Sequence, residues 1–157
     1  MRKRQLVRGI IFNGDKVLAM KRNRFGDQYY TLIGGGIKIG EDLETALRRE
    51  LQEETGLEVG AMRQVFVEDA GDFYGVQHIF LCEYTGGDPA LAPDSDEALI
   101  GATTGQNTYE PVWLPLRDIV NVKFRSLSVA EAILEGARNG FPETPQVLVF
   151  KPERVAR

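Results

Sequence analysis

Gly-Gly-Ile-Lys-Ile-Gly-Glu-Asp-Leu-Glu-Thr-Ala-Leu-Arg-Arg-Glu-Leu-Gln-Glu-Glu-Thr-Gly-Leu, residues 35 to 57, is the stretch on which the rest of the chain turns. Its second half predicts an amphipathic helix over residues 43–55 whose inward stripe changes character midway. Leu43, Ala46 and Leu47 stand at i, i+3 and i+4, the spacing of a core-facing face. Carried on at about 100° per residue, the same stripe reaches Glu50, Glu53 and Glu54. Three carboxylates turned toward the buried side repel one another, and each resists leaving water. A divalent cation resolves both problems, and all-carboxylate ligation suits hard Mg²⁺ or Mn²⁺. The plain alternative is a solvated acidic face partnered by Arg48 and Arg49, but the flanking glycines and the stripe geometry weigh against it.

Working outward, the hydrophobic pattern predicts a β-hairpin from residues 6–12 and 17–20 around Asn13-Gly14-Asp15-Lys16. A third strand is expected at 28–33, ended by the triple glycine 34–36. Asp42 is the expected N-cap of the central helix and Gly56 its C′ residue. Further strands are expected at 64–68 and 76–84, with short ones at 111–114 and 147–150. A second amphipathic helix is expected at 128–139. Residues 85–108, rich in Gly, Ala, Asp and Thr, read as one long loop, and a loop of that length in a compact domain is functional or mobile. Strands, helix, strands, helix is the order of an α+β fold, a mixed sheet held between helices. No repeat or linker divides the chain, so 1–157 reads as one domain.

The composition, 43% hydrophobic and 27% charged, is that of a globular protein, and the net charge of −4 gives no general attraction to nucleic acid or membrane. No apolar run approaches the ~20 residues of a membrane span. The basic start has no apolar stretch of a secretory signal, and the single cysteine, Cys82, excludes an internal disulfide, so the cytoplasm is the expected compartment. Cys82 and the only histidine, His78, both sit in the apolar strand 76–84 and read as packed residues.

The segment from Gly35 through Glu41, Arg49-Glu50-Leu51 and Glu53-Glu54 to Gly56-Leu57 matches every fixed position of the Nudix box, and the chain resembles the Nudix hydrolase family. The element order around the box also resembles that family over nearly the whole length. The resemblance implies an α/β/α sandwich and metal-dependent cleavage of a pyrophosphate bond in a nucleoside diphosphate linked to another moiety. By the same resemblance Glu50, Glu53 and Glu54 are metal ligands, the carbonyl of Gly34 joins them, and Glu53 and Glu54 carry catalysis. Arg49, four residues before Glu53, is expected to orient that carboxylate, while Glu41 serves the loop or the cap. Two positions depart from the common pattern: Ile33 stands where a proline is frequent, and Lys38 where a glutamate is.

A further acid from a later loop is common in the family. Asp96, Glu97 and Glu110 are the candidates, and Glu97 is favoured as general base for its reach and its apolar neighbours Ala98-Leu99-Ile100. Arg8, Lys21, Arg22 and Lys38 are expected to contact substrate phosphates. The expected partner is a small nucleotide-type molecule, with no stable nucleic-acid complex, no membrane, and room for a homodimer. Two rivals stand beside this reading. One is a Nudix-like nucleotide-binding regulatory module without catalysis, opposed by the intact glutamates. The other is an isopentenyl-diphosphate isomerase, opposed by the apolar setting of Cys82.

Overall fold

The computed structural model describes residues 2–153. Among these residues nine strands and four α-helices follow one another: β1 Gln5–Asn13, β2 Lys16–Arg24, β3 Asp27–Thr31, β4 Ile33–Gly36, α1 Leu43–Thr55, β5 Val59–Asp69 and α2 Gly71–Tyr74. Then come β6 Val76–Tyr84, α3 Asp96–Thr104, β7 Asn107–Pro115, β8 Phe124–Arg125, α4 Leu127–Asn139 and β9 Gln146–Leu148. Pairing is mixed. β1 runs antiparallel to β4 and parallel to β6, while β5 runs antiparallel to β6 and parallel to β9. β2 runs antiparallel to β3 and β7, and β3 runs parallel to β8. This is the α+β mixed sheet expected from the element order.

Alternation along the strands explains why there are two cores. On β1 and β2, Ile10, Val17 and Ala19 pack on one face with Val129, Ala130 and Ile133 of α4. Val7, Ile11, Leu18 and Met20 pack on the other with Ala46, Leu47 and Leu51 of α1. Successive side chains leave a strand on opposite faces, so one sheet serves both helices.

The feature that makes a site is how the first hairpin ends. β1 and β2 pair only next to their turn, at Phe12 with Val17 and Asn13 with Lys16. Beyond those pairs the strands part, β1 to β4 and β6, β2 to β3 and β7. The sheet is therefore forked, and a cleft of about 500 Å³ lies in the fork.

Two expectations are corrected. The triple glycine does not end a strand; it is most of β4, paired with β1 from Leu6 opposite Gly36 to Gly9 opposite Ile33. Its lack of side chains permits the approach: a Cβ on Gly34, whose φ is 151°, would stand 1.8 Å from the Val7 carbonyl oxygen. Residues 85–108 are likewise not one loop. They contain α3, capped by Ser95, whose hydroxyl accepts from the Ala98 N–H, and closed by Gly105 in the left-handed region. Among the described residues no helix is long and apolar enough to cross a membrane.

Candidate active site

α1 begins where Asp42 Oδ1 accepts from the Thr45 N–H at 2.8 Å and ends where Gly56, at φ 71°, returns its N–H to the Gln52 carbonyl. Between these caps the helix projects Glu50 and Glu54 against β4. Glu50 is 7% exposed and Glu54 6% exposed. Glu54 Oε2 accepts from the Gly34 N–H at 3.1 Å. Gly35 gives Glu50 its space, since a Cβ there would lie 2.8 Å from Oε1. From α3, Glu97 joins them: one carboxylate oxygen from each of Glu50, Glu54 and Glu97 lies within 4.8 Å of the others. The favoured acid from outside the box thus stands in the cluster. Asp96 is exposed, and Glu110 on β7 is exposed and pairs with Lys21, outside the cleft.

Burial first, then the charge of Glu50, raises the Glu54 carboxyl well above its ordinary value; Glu97 adds to this and Arg8 opposes it. Burial raises Glu50 as well, against the hydrogen bond from Arg49. Paired buried acids with raised affinity for protons are the response to like charge held out of water.

Glu53 is on the same helix but not within that close triad. Its side chain is 41% exposed and takes a 3.3 Å ion pair from Arg49 Nη1. The same nitrogen bonds Glu50 Oε1 at 2.9 Å. Arg49 is itself fixed by Glu41, with contacts of 2.7 and 3.0 Å, and by the Gly36 carbonyl. Its hydrogen bond holds the Glu41 carboxyl down to about 2. Arg49 therefore has the arrangement of an orienter, and Glu41 braces it while accepting from the Lys38 N–H.

Of the four basic residues expected near phosphate, two line the cleft. Arg8 is held by Gln77 Oε1 and by the carbonyls of Leu32 and Gly34, at 2.9 to 3.2 Å. The Gly34 carbonyl, expected at a metal, here accepts from Arg8. Arg22 lies 3.6 Å from the centroid of the Tyr109 ring and donates to Tyr29 Oη. Lys21, one residue along β2, leaves the strand on the opposite face and is not among the cleft residues, and Lys38 is exposed outside it. Arg4 and Arg125 line the cleft instead. Arg125 sits 4.0 Å over the Tyr29 ring on two-residue β8, a position with no spacing signal in the sequence.

The cleft passes through the fork. Its α1 side carries Gly34, Gly35, Glu54, Glu97, Arg22 and Tyr109, and its α4 side carries Arg8, Gln77, Glu68 and Ser126. His78 lies outside, bridging Gln64 and Gln5, and Cys82 is a buried core residue.

A mixed sheet between α1 and α4, a glycine strand and a helix of buried glutamates define a Nudix domain, and the NUDIX domain model matches residues 2–133. The chain belongs to the Nudix hydrolase family. It is 34% identical over 129 residues to an NAD-capped RNA hydrolase, NudC, of Vibrio atlanticus, across 78% of this chain and 47% of that one. The chain thus spans about half the length of that relative. Among solved structures, an ADP-ribose pyrophosphatase from Streptococcus suis superposes with a TM-score of 0.64 at 22% identity, covering 90% of this chain and 97% of that one. A MutT Nudix hydrolase from Burkholderia pseudomallei superposes with a TM-score of 0.58 at 24% identity, covering 74% and 86%. At these identities the two structures speak for the fold.

Proposed function

We propose that this chain hydrolyses a pyrophosphate bond in a nucleoside diphosphate linked to a second moiety, using Mg²⁺ or Mn²⁺. The observation that carries the reading is the convergence of Glu50, Glu54 and Glu97 from two separate helices beside an arginine-lined cleft, with Glu54 and Glu97 in its wall. The donor set fits the cation: it is all carboxylate oxygen, closely spaced and largely buried, which is unfavourable without a proton or a cation. Glu50 and Glu54 would hold it, with Glu53 at the solvent edge as a further oxygen donor, and Glu97 beside them is left to act on the water. When bound, the cation neutralises diphosphate charge and polarises a phosphorus–oxygen bond.

The chain's own residues account for the rest. Arg49 fixes Glu50 and Glu53 so that little reorganisation accompanies reaction. Arg8 and Arg22 present guanidinium groups to phosphate oxygens from the two sides of the cleft. Water forms a bond to one phosphorus as the bridging phosphorus–oxygen bond breaks. Glu97 takes the proton, and the departing phosphate keeps the bonding pair.

The name of the NudC relative supports placing NAD-type dinucleotides first among substrates, free or at an RNA 5′ end. An RNA would then be a substrate end, consistent with the net charge of −4, rather than a resident partner. Cytoplasmic nucleotide turnover fits a chain with one buried cysteine.

The test is a panel of dinucleotides, sugar nucleotides, nucleoside triphosphates and an NAD-capped oligonucleotide. Each is incubated with Mg²⁺ or Mn²⁺ and again with EDTA. Cation-dependent release of nucleoside monophosphate is expected. No turnover of any member would favour the non-catalytic binding module, and turnover indifferent to EDTA would remove the cation.

A further inference from the structure

Glu68 has no part in the chemistry above, yet it is among the most enclosed polar side chains of the protein, 2% exposed. It projects from β5 into the α4 side of the cleft, across the sheet from Glu50 and Glu54. Its Oε2 accepts from Ser126 Oγ at 2.7 Å and from Ser128 Oγ. Backbone N–H groups donate to both serine oxygens, Val129 N–H to Ser126 and Lys151 N–H to Ser128, and the two hydroxyls lie 2.8 Å apart, which fixes the pair behind Glu68. The other oxygen, Oε1, accepts from no described residue, and among the described residues no fully enclosed side-chain oxygen lacks a partner. Glu68 lines the cleft, and among the described residues its Oε1 keeps its acceptor capacity while the serines hold Oε2.

A second observation points to the same end. Phe73, Tyr74 and Phe150 line the cleft beside it. The Phe73 and Tyr74 rings meet edge to face with centroids 4.9 Å apart, and Phe150 is 6.4 Å from Tyr74. Phe73 is 76% exposed and Tyr74 42%, although both are large and apolar in body. An enclosed acceptor beside unstacked aromatic faces is complementary to a planar aromatic ring with an N–H donor on its edge.

We propose that the α4 side of the cleft is the nucleobase subsite and that Glu68 selects bases bearing an amino group, accepting from that amine through Oε1. The inference rests on the reading of the cleft as a nucleotide site. It assigns the two sides of the fork different tasks: hydrolytic chemistry by α1, base selection by β5 and the start of α4, with Arg8 on phosphate between them.

Binding, not turnover, tests it. The full chain without added cation is titrated calorimetrically with adenosine 5′-monophosphate and with purine riboside 5′-monophosphate, which lacks only the amine. Neither contains a phosphoanhydride bond. The adenosine compound is expected to bind about 10- to 100-fold more tightly, the range for a hydrogen bond to a carboxylate. In Glu68→Gln the amide oxygen can keep the serine bonds while its NH₂ faces the cleft, so the preference should vanish or invert. The wild-type comparison decides without a variant, and a thermal melt shows whether Glu68→Gln is folded. Equal affinities, no binding of either compound, or a preference unchanged in folded Glu68→Gln each overturn the proposal. If the preference is found but no diphosphate is hydrolysed, the base subsite stands and the hydrolase reading falls. Hydrolysis with equal affinities gives the reverse.

Discussion

Glu54 meets opposed demands. Burial and the neighbouring Glu50 raise its folded-state pKa well above the ordinary 4.5, so the cation-free fold favours its protonated form. A raised folded value means that its contribution to stability is fully present below about pH 4.5 and is lost as pH climbs through the folded value. Glu54→Gln, whose amide oxygen can keep the bond from Gly34, is therefore expected to melt above wild type in EDTA at pH 8. The gain should shrink toward pH 4.5; melting curves across that range check it, and a constant difference would refute the linkage. With Mg²⁺ the same variant should lose about 10²-fold or more in kcat. Glu97→Gln should lose a comparable factor and the acidic limb of its pH–rate profile. Glu110→Gln, exposed and outside the cleft, should stay within about twofold in steady-state assays, the scale of a remote surface change. The box glutamates were legible because helical periodicity carries them past the point where apolar residues stop. Glu97 was legible as an acid of suitable reach. Lys21 and Lys38 lie outside the cleft, Lys21 because of its face on β2 and Lys38 because it stands in the loop before α1, and Arg125 and Glu68 depend on pairings between strands far apart in sequence.

At the scale of elements, β4 is the piece that lets a helix of acids approach a sheet. Its glycines act differently. Gly34→Ala would set a Cβ 1.8 Å from the Val7 carbonyl, which is backbone and cannot give way. That variant is expected to lose several kcal/mol or fail to fold, on the scale of severe core disruption. Gly35→Ala meets the Glu50 carboxylate at 2.8 Å, the far end of a side chain that can swing aside. It should fold, with weaker cation affinity measured by titration; unchanged affinity would mean Glu50 is not held where β4 puts it. Sequence reasoning took these glycines for a stop because glycine ordinarily weakens a strand. It also overlooked α3, whose Ala, Gly and Thr residues bury nothing and make no clear stripe. α1 and α4 were readable almost to the residue, since caps and apolar faces agree there.

For the whole molecule, the two cores on either side of the sheet follow from strand alternation, which a sequence displays openly. The fork does not, because it depends on which partners β1 and β2 choose after their two shared pairs. A cation binding only the native protein stabilises it by about 2.7 kcal/mol at a hundredfold excess over Kd, or roughly 5–10 °C in Tm for a chain of this size. Mg²⁺ or Mn²⁺ should produce such a shift and should release protons at pH values somewhat above 4.5, where Glu54 still holds one. Calorimetry in buffers of different ionisation enthalpy reads the protons. The shallow zip at the hairpin tip also makes the two limbs of the forked sheet a pair of tongs. From Asn13 to Arg8 the arm is five residues, roughly 16 Å at about 3.3 Å each. A rotation of about 5° at the pivot moves Arg8 by roughly 1.4 Å over that arm, half the length of a hydrogen bond. Substitutions in the turn can then retune which substrates fit without touching any of them. Gly14, at φ 60° with open space around it, is the place to try: Gly14→Ala strains only the pivot. It should change the ratio of kcat/KM between bulky and slender substrates while cation affinity holds, and an unaltered ratio would show that the jaws are set elsewhere.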